Sequence, residues 1–393
     1  METVRVGIIG IGNIGTAHAN CVYEGKISNM KLGAVCDISP ERQQFCRETY
    51  LDVPVFDDYQ DMLNSGLIDA VIIAVPHKLH CDIAEQALKH GLHALVEKPV
   101  DITVTKAKAI NRLAKNSDKV FAIMFNQRTN NLFAKAREIV QGGALGELKR
   151  TVWIITNWYR TQRYYDSAGW RATWVGEGGG VLLNQAPHNL DLWQWICGMP
   201  DEVTAFCETG KYHNIEVEDD VTILTRYKNG ATGVFITSTA EIPGTNRLEI
   251  SGDLGKIVVE GGKLKWWRLP QSERDICFNS PDMFVNSDLC EYEEFEQAES
   301  LELSHRGIIQ NFTNAILFGE ELLSPGTDGI NELTLSNAAY LSAWKGNMPI
   351  MLPFDSNEFD GYLKELVANS HSGSAVQNKT ATGKYSNRWQ VNW

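Results

Sequence analysis

The sequence lacks the features of a secreted, membrane-bound or metal-binding protein. Its eight cysteines include no C-x-x-C pair, so we expect reduced thiols rather than disulfides or metal ligands. No apolar run approaches the roughly 18 residues of a transmembrane helix. The first predicted strand begins at Val4, too early to follow a signal peptide. We therefore expect a cytoplasmic protein that does not enter a membrane.

One cluster of polar residues has the composition of a metal site. We interpret it instead as a solvated acidic turn before a strand, and we expect no bound metal. The cluster consists of His213, Glu216, Glu218, Asp219 and Asp220.

The sequence also has no excess of positive charge. It contains 36 Lys and Arg against 49 Asp and Glu, a net charge of -13, which disfavours partners such as nucleic acid or an anionic membrane surface. A chain of 393 residues is long enough for two domains. We place the first at residues 1–125 and the second at 126–369, and we interpret the polar stretch 370–393 as a C-terminal arm.

Up to Phe125, short apolar runs alternate with segments of helical periodicity. Strands that alternate with helices predict right-handed βαβ units and a parallel, doubly wound sheet, as in a Rossmann domain. The predicted strands are Val4–Ile9, Lys31–Cys36, Val53–Phe56, Ala70–Val75, Ala94–Val96 and Val120–Phe125.

Beyond a helical segment at Asn131–Val140, the pattern changes to alternating β-rich runs joined by turn residues. This pattern predicts an α+β domain with a large, mostly antiparallel sheet. The predicted strands are Leu148–Thr156, Val203–Cys207, Val221–Tyr227, Gly233–Thr239, Arg247–Ile250 and Lys256–Val259. Helical periodicity returns at Gly307–Phe318 and Asn331–Trp344.

A G-x-G-x-x-G turn follows the first strand and opens a helix, which is the context of a dinucleotide-binding site. Gly10 allows the tight turn, Gly12 lets the pyrophosphate approach the backbone, and Gly15 permits close helix packing. Asp37 lies at the end of the second strand, where a carboxylate binds the adenosine ribose and repels a 2′-phosphate. We therefore expect NAD rather than NADP, although the nearby Arg42 is able to accommodate a phosphate.

Two further segments carry candidate catalytic residues. Val96-Glu97-Lys98-Pro99 ends an apolar run, so Lys98 projects from the carboxyl edge of the sheet. A glycine-rich stretch, Gly178-Gly179-Gly180, precedes Asn184 and His188. Imidazole has a suitable unperturbed pKa for accepting a hydroxyl proton during alcohol oxidation.

Together these motifs resemble the Gfo/Idh/MocA family of NAD(P)-dependent sugar and cyclitol oxidoreductases, over nearly the whole chain from Val4 to about Phe354. The resemblance implies that Lys98 binds the reacting hydroxyl and stabilises the forming alkoxide, with His188 as the base. It also implies a homodimer or homotetramer formed through the broad sheet of the second domain. The cofactor-binding residues that it implies are Gly10, Gly12, Asn13, Ile14, Gly15, Asp37, Pro76, His80, Glu97 and Lys98.

The chain departs from the family pattern at two positions, and at one of them Ala186 replaces a common glycine. Asn184 stands where many members carry aspartate. Because Asn184 and His188 are four residues apart, we expect them to share one face of a helix. An amide orients a hydroxyl but takes no proton, so we expect Asn184 to position the substrate.

The segment from Trp153 to Trp174 is rich in aromatic residues and arginine, a composition that suits a carbohydrate pocket. About half of these rings are expected to be core or interface packing. The predicted substrate-binding residues are Trp158, Arg160, Arg163 and Tyr164, with Asn184, His188, Asn126 and Arg128.

These observations favour NAD-dependent oxidation of a secondary hydroxyl on a sugar or glycoside, which in the similar family members is often at C3. Three alternatives stay open: an inositol 2-dehydrogenase-like cyclitol oxidoreductase, an NAD-dependent glycosidase acting by oxidation and elimination, and a non-catalytic dinucleotide-binding sensor. Retention of both Lys98 and His188 argues against the sensor.

Overall fold

The computed structural model describes residues 2–298 and 304–370, which fold as two compact units. The first unit comprises residues up to Thr129 together with 304–333. The second comprises residues 130–298 and 334–370. Residues 304–333, which separate two parts of the second unit in the chain, therefore fold with the first unit. The expected C-terminal arm lies outside the described residues from position 371 onward.

The first unit contains six strands and six helices among its described residues. In chain order they are β1 (Val4–Ile9), α1 (Asn13–Tyr23), β2 (Met30–Cys36), α2 (Pro40–Thr49), β3 (Val55–Phe56), α3 (Tyr59–Asn64), β4 (Ala70–Ile73), α4 (His80–Lys89), β5 (His93–Val96), α5 (Val104–Lys115), β6 (Phe121–Ile123) and, from the later segment, α10 (His305–Phe318).

The strands of the first unit form one parallel sheet in the order β3-β2-β1-β4-β5-β6. This order reverses direction between β1 and β4, and in such folds ligands bind beyond the carboxyl ends of the strands at that reversal. The strands are short and almost wholly apolar, as expected for a sheet covered by helices on both faces. Val6, Ile8 and Ile72 are completely buried. The predicted Rossmann domain is confirmed.

Within its described residues, the second unit contains nine strands. Its elements are α6 (Asn131–Gln141), β7 (Leu148–Ile155), α7 (Gln162–Tyr165), α8 (Pro187–Cys197), β8 (Glu202–Thr209), β9 (Glu218–Arg226), β10 (Thr232–Ser238), β11 (Asn246–Gly252), β12 (Gly255–Glu260), β13 (Lys263–Arg268), α9 (Glu273–Asn279), β14 (Glu291–Glu296), β15 (Ile350–Met351) and α12 (Ser356–Asn369). The helix α11 (Gly329–Trp344) has its first five residues in the first unit and the remainder in the second.

These strands form one sheet in the order β14-β13-β12-β11-β7-β10-β9-β8-β15. All neighbours are antiparallel except β7 and β10, which run parallel. One face packs against α6 and α8, where Phe133 lies 5.6 Å from Trp153 and Trp193 lies 5.4 Å from Phe235, measured between ring centroids. The large, mostly antiparallel sheet is confirmed, and its use as an oligomer interface stays a prediction.

Within the described ranges, none of the helices combines the length and the apolar character that a membrane crossing requires.

Candidate active site

The turn between β1 and α1 has the geometry of a phosphate-binding loop. Gly10 has a φ of +88°, and a Cβ there would lie 2.5 Å from the carbonyl oxygen of Ala74. A Cβ on Gly15 would lie 1.8 Å from the Gly10 oxygen, so the helix packs closely only because residue 15 is glycine. A Cβ on Gly12, in contrast, would meet no atom within 4 Å. The backbone at Gly12 therefore borders open space that a ligand is able to enter.

The helix behind this turn begins at Asn13 and Ile14, and no side chain caps its N-terminus. Free N–H groups and the positive end of the helix dipole favour an anion at this place. The donor set and the space above Gly12 fit a dinucleotide pyrophosphate, with residues 10–15 as the cradle.

Asp37 follows β2 and is tied to the same turn. Its Oδ2 accepts a hydrogen bond from the Ile11 N–H at 2.7 Å, and its Oδ1 accepts one from the Ser39 N–H at 2.8 Å. A carboxylate has about four lone-pair sites, so capacity for ribose hydroxyls remains. Arg42 donates to the Ile11 carbonyl at 2.7 Å and to the Thr16 hydroxyl at 2.8 Å. The guanidinium therefore braces the turn.

Glu97 and Lys98 follow β5, beside a buried ionic cluster that the sequence analysis did not identify. His18 of α1 lies 2.8 Å from Glu97, from Nε2 to Oε1, and its ring centroid is 5.6 Å from that of His305. The Lys98 N–H donates to Glu97 Oε2 at 3.2 Å. Because His18 and His305 lie far from Glu97 in the sequence, no local pattern marks the cluster.

The electrostatics of this cluster keep Glu97 ionised. Burial alone would raise the pKa of Glu97, but the hydrogen bond and charge of His18, with His305 and Lys98, lower it to about 2. Burial lowers the pKa of His305 to about 4. The main chain of Lys98 is therefore hydrogen-bonded to a fixed negative charge.

His80 and Pro76, both predicted to bind the cofactor, occupy different environments. The His80 ring is buried, with its nitrogens 2.7 Å from the Pro99 carbonyl oxygen and 2.8 Å from that of Val75. Burial lowers the pKa of this imidazole. These contacts link the loops that follow β4 and β5, and Pro76 is exposed at the loop surface. Cofactor binding by His80 and Pro76 stays a prediction.

Asn126 and Arg128, predicted for the pocket floor, are both buried. Asn126 Nδ2 donates to the Ser304 hydroxyl at 3.1 Å. Arg128 forms an ion pair with Asp328 at 2.7 Å, and only 1% of its side chain is exposed. These partners hold Asn126 and Arg128 within the first unit, and contact of either residue with substrate stays a prediction.

The loop before His188 is organised by a buried carboxylate in the second unit. Glu218 accepts hydrogen bonds from the N–H groups of Gly180 and Leu182, each at 2.9 Å, and from the Tyr340 hydroxyl at 2.7 Å. Burial raises the pKa of Glu218 to about 7, against the opposing effect of these hydrogen bonds. His188 follows this loop as the second residue of α8 and is buried.

The prediction that Asn184 and His188 share a helical face is wrong, because α8 begins only at Pro187. Asn184 lies in the preceding turns, where its N–H donates to the Gly180 oxygen at 2.9 Å. Its side-chain amide donates instead to the carboxylate of Glu177, which is 2% exposed. A buried carboxyl group therefore lies directly behind the amide.

The aromatic segment places several predicted residues together. The Tyr164 hydroxyl accepts hydrogen bonds from Arg171 at 2.6 Å and from Gln185 at 3.3 Å. The Arg160 guanidinium lies 5.1 Å from the Tyr164 ring centroid and 5.7 Å from that of Trp158, which is buried. Arg163 is exposed on α7. Arg171 and Gln185 were not predicted, although Arg171 lies in the segment that was singled out.

The interpretation of the acidic turn as solvated is also wrong. Glu218 and Asp219 are at most 1% exposed. Asp219 accepts from the N–H groups of Tyr212 and His213, each at 2.9 Å, and lies 2.8 Å from the His213 ring. The other ring nitrogen of His213 lies 2.9 Å from the Arg160 carbonyl oxygen. These carboxylates therefore support the loops of the second unit.

Comparison with known proteins gives a consistent set of relatives. A family model described as "Oxidoreductase family, NAD-binding Rossmann fold" matches residues 4–125, and one described as "GFO/IDH/MocA C-terminal domain" matches residues 133–258. The chain is 26% identical over 265 residues to the myo-inositol 2-dehydrogenase of Thermotoga maritima, covering 65% of this chain and 75% of that protein. It is 32% identical over 200 residues to the D-glucoside 3-dehydrogenase of Escherichia coli, covering 50% of this chain and 55% of that protein.

A solved structure agrees with these matches. The WlbA dehydrogenase from Bordetella pertussis, in complex with NADH and UDP-GlcNAcA, is similar at a TM-score of 0.74 and 26% identity. The similarity covers 90% of this chain and 100% of that one.

Proposed function

The chain belongs to the GFO/IDH/MocA family of NAD-binding oxidoreductases, and from this premise we propose that it oxidises a glycoside at C3 of the sugar ring, with Lys98 and His188 as the acid–base pair. Its general activity is that of an NAD-dependent dehydrogenase acting on CH–OH groups of carbohydrates. The observation that carries the finer proposal is the retention of both functional groups where the family pattern has them. Lys98 directly follows β5, and His188 stands in the first turn of α8.

The reaction requires a hydride acceptor, which NAD supplies when bound. Residues 10–15 and Asp37 would hold the cofactor. His188 accepts the proton of the substrate hydroxyl, and the ammonium group of Lys98 stabilises the negative charge that develops on the oxygen. Glu97 stays ionised at neutral pH and anchors the main chain of Lys98, which supports a fixed position for that residue.

The choice of a glycoside rests on the aromatic segment and on the D-glucoside 3-dehydrogenase relative. Two N–H donors occupy the acceptor sites of the Tyr164 oxygen, so its own O–H is directed away from Arg171 and Gln185. We propose that this O–H donates a hydrogen bond to a sugar hydroxyl. Tryptophan and tyrosine rings in the segment offer apolar faces for the C–H face of a pyranose.

A cyclitol is the second candidate, because the myo-inositol 2-dehydrogenase relative matches 65% of this chain. A panel of glucosides, free sugars and inositols, with NADH absorbance as the readout, separates the two. The proposal predicts the highest kcat/KM with a glucoside and a 3-keto product. A preference for an inositol would show that the substrate is a cyclitol and not a glycoside. Cleavage of the glycoside without net NADH formation would show that the protein is a glycosidase.

A further inference from the structure

The carboxylate of Glu177 joins two segments of the second unit that carry predicted substrate-binding residues. Its Oε2 accepts a hydrogen bond from the Ala172 N–H at 2.8 Å, at the end of the aromatic segment. Its Oε1 accepts one from the Asn184 side chain. Glu177 is 2% exposed, whereas Asn184 is only partly buried. One buried acid therefore contacts the more accessible amide directly.

This contact determines which way the Asn184 amide faces. An ionised carboxylate only accepts hydrogen bonds, while an amide has a donating nitrogen and an accepting oxygen. In the structure the NH₂ group faces Glu177, because the Asn184 nitrogen donates to Glu177 Oε1. The carbonyl oxygen of Asn184 consequently lies on the side of the amide away from Glu177.

We propose that Glu177 is a positioning residue that fixes the amide of Asn184 so that its carbonyl oxygen accepts a hydrogen bond from a substrate hydroxyl. This inference rests on the proposed function for the identity of the ligand. Glutamate at 177 and asparagine at 184 form a matched pair. An aspartate at position 184 would place two carboxyl groups in contact, whereas the amide gives Glu177 a hydrogen-bond donor.

The pairing is tested first without any substrate, by thermal unfolding of Asn184→Asp from pH 4 to pH 8. Two adjacent carboxylates raise the pKa of one of them in the folded state. The folded variant then holds a proton that the unfolded chain releases above about pH 4, so its stability falls with rising pH relative to the unmodified protein. We expect the Tm difference to grow by about 2–4 °C or more between these limits.

The double variant Glu177→Gln with Asn184→Asp supplies the matched comparison. It exchanges the two groups, because the glutamine amide donates to the new carboxylate while its oxygen still accepts from Ala172. We expect the growing Tm difference to disappear. Glu218→Gln with Asn184→Asp, compared with Glu218→Gln alone, is the control, since Glu218 binds the same loop through Gly180 and Leu182. That control should retain the pH-dependent loss caused by the aspartate.

Kinetics test the role of the amide. In Glu177→Gln, the glutamine NH₂ turns the Asn184 oxygen inward and its NH₂ outward, so a donor replaces the acceptor. We expect KM for the sugar to rise roughly threefold to tenfold, with a smaller change in kcat. The double variant should recover KM and shift the pH profile of kcat/KM upward, because the aspartate would favour protonated His188.

The two readouts separate the failure of this inference from the failure of the proposed function. A pH-independent Tm difference in Asn184→Asp, or one that Glu177→Gln does not remove, would overturn the pairing whatever the substrate is. With the pairing established by Tm, an unchanged KM in Glu177→Gln for the best substrate of the panel would overturn the positioning role. Absence of turnover on every sugar would contradict the proposed function, whereas the Tm test of the contact between Glu177 and position 184 would still be valid.

Discussion

The buried carboxylate of Glu218 makes the stability of the second unit depend on pH, with a sign and a size that follow from its environment. Its folded-state pKa is about 7, against an ordinary value of 4.5. Between these values the folded chain holds a proton that the unfolded chain has released, so stability falls as pH rises through this window. A shift of this size corresponds to about 3 kcal/mol.

Glu218→Gln removes the titration but keeps one acceptor oxygen. Three donors converge on the carboxylate, from Gly180, Leu182 and Tyr340. An amide cannot satisfy them all, so the variant should be less stable by about 1–3 kcal/mol at pH 5. At pH 8 the native carboxylate carries its full cost of ionisation. The difference between the two proteins should therefore move by about 3 kcal/mol in favour of the variant, so that it vanishes or changes sign.

Urea unfolding followed by tryptophan emission is the appropriate assay. None of the eleven tryptophans precedes Trp153, so the emission does not report residues 1–129 directly. The free energies of unfolding of both proteins are compared at pH 5, 6, 7 and 8. If the free energies of unfolding of the two proteins depend on pH in the same way, Glu218 does not exchange a proton on unfolding in this range. That result would contradict the prediction.

Three other predictions concern the first unit and the reaction. Asp37→Ala should narrow the preference for NAD over NADP, because it removes both an acceptor for the ribose and the repulsion of a 2′-phosphate. Titration of each cofactor measures the two affinities, and equal affinities in the unmodified protein would contradict this prediction. Lys98→Ala and His188→Ala should each lower kcat by ~10²–10⁴ while the affinity for NAD changes little. Near-normal turnover of the histidine variant would mean that another residue is the base. His18→Leu leaves Glu97 buried without its imidazole partner and should destabilise the first unit by about 3–5 kcal/mol at neutral pH. Because Glu97 has a lowered pKa, this loss should diminish as the pH falls below about 4. A pH-independent difference in hydrogen-exchange protection of β1 and β5 would argue against the contact between His18 and Glu97.

The cofactor turn was predictable because its chemistry is local. A strand, three glycines and a helix follow one another within residues 4–23, and the geometry of Gly10, Gly12 and Gly15 agrees with the roles expected of them. The alternating runs likewise predicted the antiparallel sheet. The parallel pairing of β7 with β10 was not predictable, since it depends on how distant strands are ordered.

Two of the errors concern carboxyl groups whose environment is created by distant residues. Glu218 and Asp219 were predicted to be solvated, because acidic runs are usually exposed to solvent. Glu218 is buried by contact with Tyr340, which lies 122 positions later in the chain. The helix expected across Asn184 and His188 starts late because Pro187 occupies its first turn, where proline is favoured. The contact of Glu177 was not predicted, because its partner Asn184 was assigned only to substrate binding.

The most direct test of the proposed reaction is the amount of NADH formed when the protein is incubated with NAD and a methyl glucoside, with the sugar product analysed in the same sample. Lys98→Ala serves as the control for the reaction. We expect NADH and 3-keto glucoside in equal amounts, and both should be formed at least ~10²-fold more slowly by the control. Binding of NAD without NADH formation on any glycoside, free sugar or inositol would contradict it.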